Sequence, residues 1–182
     1  MIQYLHMKKV AIIIASENFR DEEYFITKEV LEKNGIHVKT VCDKINAIGK
    51  FGGEAKADIL INDLNIDDFD AIIFAGGSGA PKLLDNELSY DIARKTTLTK
   101  KLLAAICIAP TILARAGILQ GKRATVWSTD MDKSAIKIIQ QNDGIYERKA
   151  IVKDGNIITG ENAEFAQEFG EAIAEELTKG SK

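Results

Sequence analysis

The chain has 182 residues, 46% of them hydrophobic, and a formal net charge of -3, which suits one globular domain over 1–182 with a proper core. That charge excludes a general electrostatic reason to bind nucleic acid or an anionic membrane surface. Cys42 and Cys107 stand far apart without metal-ligand spacing, so we expect a reducing, cytoplasmic setting, no disulfide framework and no metal.

Residues 1–7 read as an amino-terminal extension, and the apolar run that follows is far short of the ~20 residues a membrane span needs. "KKVAIIIA" (Lys8 to Ala15) reads as a buried first strand. "DEEYFITKEVLEKNG" places Tyr24, Phe25, Val30 and Leu31 on one side of a helix that Gly35 can stop. "HVKTVC" is a second strand, and Cys42 at its end reads as packing. "NAIGKFGGEAKADILI" has too many glycines for a helix and reads as a turn-rich or hairpin excursion. "DFDAIIFAGG" is a short buried strand, followed by the loop "GGSGAP" and a helical region containing "LSYDIARKTTLTK".

"KLLAAI" is the strand that delivers Cys107, and "TILARAG" is a short helix starting near Ala109, with Pro110 suited to its first turn. Next come "RATVW" as a strand and "DKSAIKIIQQN" as a helix. "KAIVKDGNIITG" looks like a hairpin turning at Asp154-Gly155. The chain closes on "AEFAQEFGEAIAEEL", whose Phe165, Phe169, Ile173 and Leu177 recur every four residues. Strands alternating with amphipathic helices give an α/β class: a doubly wound, mainly parallel sheet.

Ligands of such sheets sit outside the carboxyl ends of the strands, where Cys107 falls. Two readings of it stand at this point. A helix amino terminus beside the sulfur would lower its pKa below the ~8.5 of a free thiol and make a nucleophile. Equally, free cysteine is among the most buried residue types. The "GGSG" loop, beginning at Gly76 and Gly77, could supply a second amide to an oxyanion alongside that of Ile108.

"AIIFAGG", "AAICIAPTILARAGILQGKRAT" and the "VKDGNIITG" hairpin with its final helix together resemble the ThiJ/PfpI superfamily, which includes PfpI-type intracellular proteases and the Parkinson-linked protein deglycase. The resemblance spans nearly the whole chain. It implies a flavodoxin-like fold with the cysteine on a nucleophile elbow, and a carboxyl group from the loop after the first strand held against it. In "SENFRDEEYF" that carboxyl falls on Glu23, with Glu22 the near alternative. A buried, protonated Glu23 would donate to the thiolate, and the two would titrate as a pair. The other reading of "RDEE" is that its acids simply favour a helix amino terminus.

Two departures from the resemblance bear on activity. The histidine that PfpI-like proteases carry after the cysteine is Ile108 here, and the histidine of the deglycase branch on the next strand is Trp127, a candidate lining residue that either closes the pocket, which would favour small substrates, or packs under it. His6 and His37 are not placed near the site by either motif. Glu161-Asn162 replaces an arginine-bearing loop, and Asn162 reads as a cap for the last helix.

The resemblance thus implies a cysteine-dependent enzyme on small reactive carbonyls, glyoxalase- or deglycase-like, working through a thiohemiacetal at Cys107 with Glu23 carrying the proton. The alternative is a non-enzymatic redox or stress-responsive protein using the same cysteine. Peptidase activity is disfavoured by Ile108. No cofactor, nucleic-acid or membrane partner is implied, and relatives' habits suggest a homodimer or larger homo-oligomer.

Overall fold

The computed structural model describes residues 7–179. Met7 apart, the extension read at 1–7 lies outside them, as does His6. In chain order the elements are β1 (Lys9–Ile14), β2 (Glu17–Phe19), α1 (Asp21–Lys33), β3 (His37–Cys42), β4 (Asn46–Gly49), β5 (Glu54–Lys56), β6 (Ile59–Leu60) and β7 (Ala71–Phe74). After these come α2 (Ala80–Leu83), α3 (Glu87–Leu98), β8 (Leu102–Ile106), α4 (Pro110–Arg115), β9 (Arg123–Ala124) and α5 (Ser134–Gln141). β10 (Ile145–Tyr146), β11 (Ile151–Asp154), β12 (Ile157–Gly160) and α6 (Ala166–Thr178) complete the chain.

The central sheet has seven strands in the order β11-β12-β8-β7-β1-β3-β6. All its pairings are parallel except β11 with β12. Because strand side chains alternate, each apolar run feeds two cores. Val10, Ile12 and Ile14 of β1, with Ile73, Ala104 and Ile106, pack against α1 and α6. Ala11 and Ile13, with Ile72, Phe74, Leu103 and Ala105, face α3, α4 and α5. The sheet is therefore wound on both faces, and the strand order reverses between β1 and β7. The loops after β1, β7 and β8 open at that reversal, where open α/β sheets bind ligands.

The glycine-rich excursion is the antiparallel hairpin β4–β5, joined by β2 into a separate three-stranded sheet. β2 was not anticipated. Two of its three residues are exposed, so it shows no buried alternation. The strand read at "RATVW" shrinks to Arg123–Ala124, paired with β10 outside the main sheet. Beyond it the backbone amides leave the ladder: Thr125 donates to the Thr159 hydroxyl and Trp127 to the Cys107 carbonyl.

Two smaller shifts have local causes. Asp154 pairs with Ile157, so the hairpin turns one residue later, at Gly155-Asn156, with Gly155 at φ +61°. Phe165 closes a 3₁₀ turn over 163–165 instead of extending the α6 face, while Phe169, Ile173 and Leu177 are buried as expected. Asn162 caps that turn by accepting the Glu164 amide.

Candidate active site

β8 ends at Ile106, and Cys107 follows at φ +63°, in the left-handed region that a side chain disfavours. Three hydrogen bonds hold it there. The Cys107 amide donates to the Gly160 carbonyl at 3.0 Å, the Ala109 amide to the Ile106 carbonyl at 3.1 Å, and the Trp127 amide to the Cys107 carbonyl at 2.9 Å. α4 begins at Pro110 with Ala109 as its cap residue, as the position of the proline predicts. The cysteine is thus carried on a sharp strand-to-helix turn.

Three consecutive acids open α1, and each does something different. Asp21 reaches out to the loop after β4, accepting the amides of Phe51 and Gly53 at 2.9 and 2.7 Å. Glu22 pairs with Arg20 through two contacts at 2.8 and 3.2 Å. Only Glu23 turns inward, where it is 1% exposed. Its Oε2 accepts the Gly76 amide at 2.8 Å, while Oε1 is buried with no hydrogen-bond partner among the described residues.

Gly76 and Gly77 make this approach possible. A Cβ on Gly76 would stand 2.8 Å from Glu23 Oε2 and 2.9 Å from both Cys107 Cβ and the Ile106 carbonyl oxygen. Gly77, at φ +99°, lies under the loop after β2, where a Cβ would come within 2.4 Å of the Arg20 nitrogen.

Two expectations are corrected here. The Gly76 amide is committed to Glu23 and is not free for an oxyanion. Glu22, the near alternative for the carboxyl and a candidate for the pocket wall, is neither: Arg20 holds it, and it does not line the cleft. The amides of Gly77 and Ile108 do address the Cys107 sulfur, and both favour its ionised form.

Electrostatics also differ from the expected low-pKa thiol. Burial, then the adjacent Glu23 carboxyl, raise Cys107 well above the ordinary thiol value and outweigh the two amides. Glu23 is pushed up to about 8, mainly by burial, against the opposing effects of Cys107 and the Gly76 amide. The two groups share one desolvated space, so their protons leave stepwise as a pair. Cys42 contrasts with this: fully buried beside Asp43, it is pushed up to about 11. His37 is exposed at the start of β3, the end of the sheet away from Cys107.

Above the cysteine lies a cleft of about 540 Å³, and Trp127 and Ile108 line it with Glu23, Gly77 and Cys107. Its remaining walls include Arg20, Lys50, Ser78, Ser128 and Glu164. They come from five separate loops, so no local spacing signals them. Among the described residues no three His, Cys, Asp or Glu side chains converge as a metal site would require, and no helix is long and apolar enough to cross a membrane.

Residues 8–176 match the family model described as the DJ-1/PfpI family. The chain is 32% identical to the protein dj-1beta of Drosophila melanogaster, over 94% of this chain and 90% of that one. It is 29% identical to the deglycase PfpI of Pyrococcus furiosus, over 81% and 87%. The crystal structure of a ThiJ/PfpI domain protein from Brachyspira murdochii superposes with a TM-score of 0.88 at 28% identity, covering 95% of this chain and 98% of that one.

Proposed function

The chain belongs to the DJ-1/PfpI family, and we propose that it is a cysteine-dependent enzyme acting on small reactive carbonyls, in the manner of a glyoxalase or deglycase. Deglycase is the activity named for the Pyrococcus relative. The observation that carries the reading is the Glu23 carboxyl, sealed against Cys107 with Oε2 satisfied by Gly76 and Oε1 unpaired. A carboxylic acid holds its proton on one oxygen. With Oε2 accepting an amide hydrogen, that oxygen is Oε1, and its partner must be the sulfur or a substrate atom.

In the reaction the Cys107 sulfur adds to the carbonyl carbon, forming an S–C bond as the C=O π pair moves to oxygen. The thiol proton, relayed through Glu23, ends on that oxygen, and the product of the step is a neutral thiohemiacetal. The amides of Gly77 and Ile108 stabilise the oxygen while it is negative. Peptide hydrolysis would also need an acid for a leaving amine. No histidine is among the residues lining the cleft, which supports carbonyl addition over proteolysis.

The test is consumption of methylglyoxal by the purified protein. Cys107→Ser should abolish turnover, and Glu23→Gln should lower kcat by about 10²-fold or more, the usual contribution of a positioned proton carrier. A parent protein that leaves methylglyoxal untouched would overturn the proposal. We also place the protein in the cytoplasm as a homodimer or larger homo-oligomer, which cell fractionation and light scattering check.

A further inference from the structure

Two cations meet on one wall of the cleft. The Arg20 guanidinium lies 4.7 Å from the centroid of the Phe51 ring, and the Lys50 ammonium 5.8 Å from the same centroid. Glu22 occupies Nε and Nη2 of Arg20, leaving Nη1 without a hydrogen bond among the described residues. Lys50 has no ion pair among them. The wall is also fixed in place: the Lys50 amide donates to the Phe19 carbonyl at 2.9 Å, and Asp21 holds the amides of Phe51 and Gly53. Like charges gathered on one ring repel unless an anion bridges them. Against this pair stand Glu22, already engaged by Arg20, Glu164, exposed on another wall, and Glu23, buried beneath the floor.

We infer that Arg20 and Lys50 form an anion subsite, so that the preferred substrate carries a carboxylate or phosphate beside its electrophilic carbonyl. The neutral dicarbonyl of the assay above would then be a minimal substrate. The inference rests on Cys107 being the reacting group.

A pair of alkylating reagents tests it without relying on turnover. Iodoacetate and iodoacetamide each lose iodide as the Cys107 sulfur forms a bond to their methylene carbon, and they differ only in charge. The ratio of their rates at Cys107, read by peptide mass spectrometry, should exceed the ratio for the same chain unfolded in urea by roughly tenfold at low salt. It should fall back toward the unfolded value in Lys50→Met and in high salt. Protection of Cys107 from iodoacetamide by acetate, against protection by inorganic phosphate, identifies which anion the subsite prefers. A folded protein that reacts with iodoacetamide but shows the ratio of the unfolded chain loses the subsite and keeps the nucleophile. Reaction with neither reagent overturns both.

Discussion

Burial is the largest influence holding the protons on both Glu23 and Cys107, and this links the site to the stability of the protein. In the unfolded chain a glutamate ionises near its ordinary value of 4.5; in the fold it keeps its proton up to about 8. Between those values the folded state binds more protons than the unfolded one, so the stability this residue contributes is complete below 4.5 and declines as pH rises through about 8. Urea denaturation should therefore show a loss of a few kcal/mol between pH 5 and pH 8 that Glu23→Gln abolishes. The variant should match the parent at pH 5 and exceed it at pH 8. A parallel decline in the variant would assign the slope to other groups. Glu23 itself was legible in the sequence, but only through family resemblance. What separates it from Glu22 is burial against Gly76 in the loop after β7, a contact 53 residues away in the chain.

At the scale of elements, the small β2-β4-β5 sheet and the loop after β4 build the cationic wall, and Asp21 is what fastens them to α1. Cβ atoms on Gly49 and Gly53 would each fall 2.4 Å from Asp21 Oδ1, so the loop is drawn tightly around this carboxylate. Asp21→Ala removes a charged acceptor from two amides and should cost about 1–3 kcal/mol. The Lys50-Phe51 bond should then become a site of rapid tryptic cleavage, while the parent is cut there slowly. Equal cleavage in the two proteins would mean that the loop is held by other contacts. The long apolar strands β1, β3, β7 and β8 were readable because each is buried on both faces and bounded by turns. β2 and the stretch after β9 were not. Their amides are satisfied by partners distant in sequence, and no periodicity encodes a bond to a side chain or to an elbow carbonyl.

Across the molecule, α1 and α6 cover one face of the sheet together, and Gly170 lets them close up: a Cβ there would stand 3.0 Å from Val30. Gly170→Leu should cost about 1–3 kcal/mol by overpacking, seen as a lower denaturant midpoint at unchanged slope. An unshifted midpoint would show slack between the two helices. The winding and the location of the cleft were legible from the alternation of strands and helices, since both follow from topology. The lining of the cleft was legible only at the residues the family motifs carry, Cys107, Glu23, Gly77, Ile108 and Trp127, because the rest is assembled from loops that the chain visits far apart. The three-way anchoring of Cys107 also bears on biosynthesis. Its amide waits for Gly160 and its carbonyl for Trp127, segments that leave the ribosome well after the cysteine itself. A nascent chain therefore carries an ordinary thiol, and the reactive centre appears only when β12 docks beside β8, among the last long-range contacts the chain can make.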